Sequence, residues 1–97
     1  MKTLEEIKEI LNNNKEILRE KYKVKEIGIF GSYVRREQRK KSDVDILVEF
    51  EEPVSLLKLV SVENFLKEIV GAKVEVIPKK DIRSELKEKI LKEVVYI

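Results

Sequence analysis

Lys25-Glu26-Ile27-Gly28-Ile29-Phe30-Gly31-Ser32, followed after ten residues by Asp43-Val44-Asp45-Ile46-Leu47-Val48-Glu49-Phe50, is the stretch on which the reading of this chain turns. Ile27 and Ile29 alternate with Gly28 and Phe30. Val44, Ile46, Val48 and Phe50 alternate with Asp43, Asp45, Leu47 and Glu49. A period of two is that of a strand, so the stretch predicts two strands joined through a Gly-Ser turn and a polar loop. Asp43 and Asp45 then share a face, roughly 7 Å apart at Cα. Aspartate is disfavoured in strands, and two like charges with nothing basic between them repel. A divalent cation resolves that conflict, and hard carboxylate oxygens suit Mg²⁺ or Mn²⁺. Gly31 and Ser32 offer backbone N–H groups and a hydroxyl to a phosphate. The bland alternatives are a strand-to-helix turn with Ser32 as a cap, and a solvated edge strand. Taken together, a phosphate cradle beside metal-binding carboxylates equips a protein for phosphoryl or nucleotidyl transfer.

Further along, Lys73-Val74-Glu75-Val76-Ile77 reads as a third strand, stopped by Pro78. Val74 and Val76 face one way, Glu75 and Ile77 the other. If this strand lies beside that of Asp43 and Asp45, Glu75 joins them as a third metal ligand or as the base that takes an acceptor's proton. Otherwise it is an edge-strand charge that blocks aggregation. Arg35, Arg36, Arg39, Lys40 and Lys41 make the intervening loop basic. Arg35, one turn after Ser32, is the member placed to reach a bound triphosphate bidentately.

The remaining elements are helical. Thr3 and Glu6 form a capping-box pattern ahead of Leu4, Ile7, Leu11, Leu18 and Tyr22, predicting a helix over 4–22 with a weak point at Asn12 to Asn14. Leu59, Val62, Leu66 and Ile69 mark a helix from Ser55 to Val70, ended by Gly71. Ile82, Leu86, Ile90 and Val94 mark a last helix, capped by Asp81 or Ser84, and Val94 to Ile97 form a short strand or packed tail. The expected fold class is therefore α+β: a small sheet of three or four strands flanked by helices, in one domain spanning 1–97.

Composition narrows the chemistry. The chain has 97 residues, no cysteine and no histidine, which excludes disulfides, zinc sites built on Cys or His, and Ser-His-Asp triads. Catalysis must use carboxylates, hydroxyls, Lys or Arg, and metal. The formal net charge is only +2, so stable nucleic-acid binding is not expected. No apolar run is long enough for a membrane span, and the N-terminus lacks the apolar region of a signal peptide, so the expected location is cytoplasmic. So small a body leaves the site open, or completed by a partner.

Gly31-Ser32-x10-Asp43-x-Asp45 resembles the defining motif of the DNA polymerase β-like nucleotidyltransferase superfamily. Over nearly its whole length the chain is similar to the minimal nucleotidyltransferases, the MNT proteins often encoded beside HEPN-domain proteins. Gly31-Ser32-Tyr33-Val34-Arg35, Ser42 to Val48, Lys73 to Ile77 and the Val-Tyr ending after Leu86 carry the likeness. The resemblance implies a mixed β-sheet flanked by helices, like the polymerase β palm. It implies Mg²⁺ (two ions, with Mn²⁺ as a substitute) on Asp43, Asp45 and the carboxylate at position 75, and ATP phosphates on Gly31 and Ser32. It also implies an antitoxin that adenylylates a tyrosine of a HEPN ribonuclease toxin, in complex with it. Position 75, commonly Asp in the family, is Glu here, and position 36, where Gly is expected, is Arg. The competing functions are transfer to a small molecule such as an aminoglycoside, and a binding-only antitoxin whose catalysis has lapsed.

Overall fold

The computed structural model describes residues 2–97. Helix α1 (Leu4–Asn13) opens on the capping box: the Glu6 amide donates to Thr3 Oγ1 at 3.2 Å and the Thr3 amide donates to Glu6 Oε1 at 3.0 Å. The helix expected over 4–22 is interrupted. Asn14 leaves helical geometry (φ −109, ψ 10), its side-chain amide donates to the Ile10 carbonyl at 2.8 Å, and α2 (Lys15–Tyr22) starts anew. A short amide side chain that bonds its own backbone competes with the helix ladder. Left-handed Lys23 then turns the chain into strand β1 (Val24–Phe30).

One 3₁₀ turn (Gly31–Tyr33) and a loop lead to β2 (Val44–Phe50). Helix α3 (Leu56–Val70) has Ser55 as its N-cap, accepting from the Lys58 amide at 3.1 Å, and ends at left-handed Gly71 (φ 70). Strand β3 (Val74–Pro78), helix α4 (Ser84–Glu93) and strand β4 (Val95–Tyr96) complete the chain. Neither expected cap of α4 forms: the N-cap position is Arg83, with no side-chain hydrogen bond, and Ser84 is already the first helical residue.

The strands form one sheet in the order β3-β2-β1-β4. β1 runs antiparallel to β2 and β4, whereas β2 and β3 are parallel, joined by the α3 crossover. The mixed sheet flanked by helices is the α+β architecture expected. Ile27, Ile29, Val44, Ile46, Val48, Val74 and Val76 point to one face, where α1, α2 and α3 bury Ile7, Leu11, Leu18, Val62, Leu66 and Val70. At about 25 cal/mol per Å² of apolar surface, this face supplies most of the hydrophobic stabilisation. The opposite face buries only Phe30, Leu47 and Ile90, with Ile77, Ile82 and Val94 beside them. One helix, α4, covers it, and Leu86 of the expected α4 stripe stays exposed. The carboxylates, by strand alternation, lie on this thinly covered face.

Candidate active site

Asp45 is the fixed point of the site. It lies on β2 between Val44 and Ile46, both fully buried on the far side, so its side chain is held on the α4 side of the sheet. Across the parallel ladder its register partner is Glu75 of β3. Adjacent strands are about 4.8 Å apart, which brings the two carboxylates together. Asp43 immediately precedes β2 and is exposed, as is Glu75, whereas Asp45 is half-buried. Burial first, then the negative charges of Glu75 and Asp43, push the Asp45 carboxyl up from its ordinary 3.8 to about 6, against an opposing pull from Arg35.

Gly31 closes the other side. Its φ of +81 is a left-handed conformation, and a Cβ built there would run into the Asp45 carboxylate. Phe30 pairs with Asp45 in the antiparallel ladder, so the chain leaves β1 directly above this side chain. Glycine is required twice over, for its backbone angle and for the close approach. Ser32 does not cap a helix: the turn that follows is a single 3₁₀ turn with no side-chain cap bond. Among the described residues, the N–H groups of Ser32 and Tyr33 and the Ser32 hydroxyl have no hydrogen-bond partner. They are the donors left open to an anion.

Two expected phosphate contacts are differently engaged. The Gly31 N–H donates to Glu93 Oε2 at 2.8 Å, and Arg35 Nη1 donates to Glu93 Oε1 at 2.9 Å. Arg35 Nε also donates to Glu37 at 3.1 Å. Gly31 and Arg35 are therefore held by carboxylates of the chain itself. Glu93 escaped the sequence reading. Its signal was present: it follows Ile90 by three residues, on the inward side of α4, where an acid needs a partner. At position 36 the backbone is left-handed (φ 58), the conformation a glycine would favour, and Arg36 there pairs with Glu5 at 3.0 Å.

The donor set is chemically suited to a divalent cation: hard oxygens from two adjacent strands that repel one another, one of them raised to about 6 by burial first and then by its acidic neighbours. Among the described residues no three acids converge closely enough to form a ready-made cage. Asp45 and Glu75 lie within hydrogen-bonding reach of each other. A recess of about 770 Å³ lies beside the site, lined by Ser42, Lys40, Lys41, Lys73 and Tyr33 among others, but not by the three carboxylates.

The nucleotidyltransferase domain family matches residues 11–97. The chain belongs to that family. MJ1217 of Methanocaldococcus jannaschii, provisionally named a protein adenylyltransferase, is 54% identical over 98 residues, covering 100% of both chains. The protein adenylyltransferase MntA of Thermococcus cleftensis is 50% identical over 97 residues, covering 100% of this chain and 98% of its own. A solved structure, provisionally a minimal nucleotidyltransferase, superposes with a TM-score of 0.74 at 26% identity, covering 92% of this chain and 93% of the other. The expected polymerase β palm-like class and the enzymatic reading both hold: this is a nucleotidyltransferase with the fold of the minimal members. Among the described residues no helix is long and apolar enough to cross a membrane.

Proposed function

We propose that this chain, acting as one minimal domain in the cytoplasm, transfers AMP from ATP to a tyrosine hydroxyl of a HEPN-domain partner. The pairing of Asp45 with Glu75 across parallel strands, beneath the Gly31 turn, carries the reading. Relatives of about half identity over the full chain bear the name protein adenylyltransferase. One neighbour in fold was solved as a tri-AMPylated HEPN toxin of Shewanella oneidensis in complex with an MNT antitoxin, and another toxin–antitoxin pair with AMP-PNP.

In the transfer, the acceptor oxygen bonds to the α-phosphorus as the bond to pyrophosphate breaks. Ser32 and Tyr33 hold phosphate oxygens through their open N–H groups, and the Ser32 hydroxyl adds a third donor. Asp43, Asp45 and Glu75 would hold Mg²⁺, which offsets charge on the phosphates and lowers the pKa of the attacking hydroxyl. Glu75 takes the acceptor's proton, a role supported by its exposure, since a protein acceptor arrives from solvent.

The test is to incubate the protein with labelled ATP, Mg²⁺ and a HEPN-domain protein from the same genome, then locate the label by mass spectrometry. AMP on a HEPN tyrosine is the expected result. Label that appears only on added aminoglycosides would replace the acceptor. Binding to the HEPN protein with no label on it would mean an antitoxin that acts by contact alone.

A further inference from the structure

We infer that Glu93 is a positioning residue for nucleotidyl transfer: its carboxylate fixes the Gly31–Arg35 turn against Asp45 and stays in place when ATP binds. The inference deepens the transfer reaction proposed above and rests on it for its kinetic consequence.

Glu93 is the last residue of α4, and its side chain is only 16% exposed. One oxygen accepts the Gly31 N–H at 2.8 Å. The other accepts Arg35 Nη1 at 2.9 Å, and the same nitrogen lies 3.2 Å from the first oxygen. Gly31 is thus gripped on its N–H by Glu93, while its Cα leaves no room for a Cβ beside the Asp45 carboxylate. A carboxylate on one side and the catalytic carboxylate on the other set the height of the turn above the sheet. Arg35, held by the same acid, keeps a positive charge near Asp45.

A carboxylate on a backbone N–H and an arginine could instead be a stand-in for phosphate, displaced by ATP. The packing opposes that. Immediately after Glu93, Val94 lies against Gly28, Val95 pairs with Ile29 and Tyr96 with Gly28. The Ile97 amide then donates to the Ile27 carbonyl at 3.0 Å. Three residues before Glu93, Ile90 is buried on the sheet. Withdrawing Glu93 would strip β4 from β1 or leave a largely buried charge without partners, a costly state. The open donors of Ser32 and Tyr33 make displacement unnecessary.

Glu93→Gln keeps an acceptor for Gly31 but loses the charge that holds Arg35; Glu93→Ala loses both. A one-ångström misplacement of reacting groups can cost about 10²-fold. We therefore expect kcat to fall about 10²-fold in Glu93→Ala and less in Glu93→Gln, with KM for ATP nearly unchanged. The chain has only three glycines, so the Gly31 amide is readily resolved by glycine-selective ¹⁵N labelling. In the wild type its hydrogen exchange should stay slow when ATP and Mg²⁺ are added, because its acceptor stays in place; in Glu93→Ala, if that variant folds, it should exchange fast. Tighter ATP binding by either variant, or a loss of protection of the wild-type Gly31 amide on ATP addition, would overturn the inference in favour of a displaced anion. Unchanged kcat in the folded variants would overturn it too. A wild type that binds ATP but labels no HEPN protein would sink the proposed reaction, while the amide and binding measurements would still decide whether Glu93 stays in place.

Discussion

Asp45 carries a charge that the metal-free fold resists. Its folded-state pKa of about 6 lies above the ordinary 3.8, so between those values the folded protein binds more protons than the unfolded chain. Stability of the metal-free protein is therefore lost as pH rises from about 4 to about 6, and the loss persists above that. With solvent screening of a half-buried group allowed for, the effect is about 1–2 kcal/mol. Asp45→Asn, which cannot ionise, should melt above the wild type at neutral pH and close to it near pH 4, with chelator present, while losing nucleotidyl transfer. Equal melting temperatures across that range would show that the carboxylate is not strained. Glu75 is exposed and tests differently. Loss of a general base costs about 10²–10⁴-fold, so Glu75→Gln should lose transfer on that scale and keep ATP binding by calorimetry. Full transfer by Glu75→Gln would reassign the base to the partner. At this scale the motif residues were legible as chemistry, because carboxylates in a strand conflict with its burial pattern. The grip of Glu93 on Gly31 was not legible, since 62 residues separate the two.

The long helices and the strands follow their periodicities, with departures where local chemistry or packing intervened. Asn14 divides the first helix, as the weak helix formers there foreshadowed. The α4 cap failed because Asp81 lies in a 3₁₀ turn and Ser84 inside the helix. The two-residue β4 depends on Gly28: a Cβ at that position would lie 2.6 Å from Val94 Cγ2 and 3.1 Å from the Val95 carbonyl oxygen. Alanine in a strand is ordinarily no worse than glycine, but here it overpacks the β1–β4 seam. Gly28→Ala should destabilise the protein by about 1–3 kcal/mol. It should speed hydrogen exchange at the Ile97 amide, which bonds to Ile27, and lower transfer by loosening the neighbouring Glu93. Unaltered melting and exchange would show that the tail has room to move aside.

For the molecule as a whole, the thinly covered face of the sheet is where charge is concentrated and where a ligand has most to offer. A cation that binds the folded chain alone stabilises it by mass action, about 2.7 kcal/mol at a hundred times its dissociation constant. Mg²⁺ should raise the melting temperature of the wild type in a concentration-dependent way. It should do so far less for Asp43→Asn or Asp45→Asn. An equal rise in the variants would place the ion elsewhere.

The sequence alone determined the elements, the two-sided character of the strands and the spacing of Gly31, Ser32, Asp43 and Asp45, because each rests on periodicity or on residues near one another in the chain. It also determined that Glu75 shares a face with Ile77, but not which strand would lie beside it. That neighbour, the parallel register that sets Glu75 against Asp45, the sheet order β3-β2-β1-β4 and the engagement of Gly31 and Arg35 by Glu93 were decided by the tertiary structure. Each depends on contacts between distant segments, whose pairing is settled by how the helices bury both faces of the sheet.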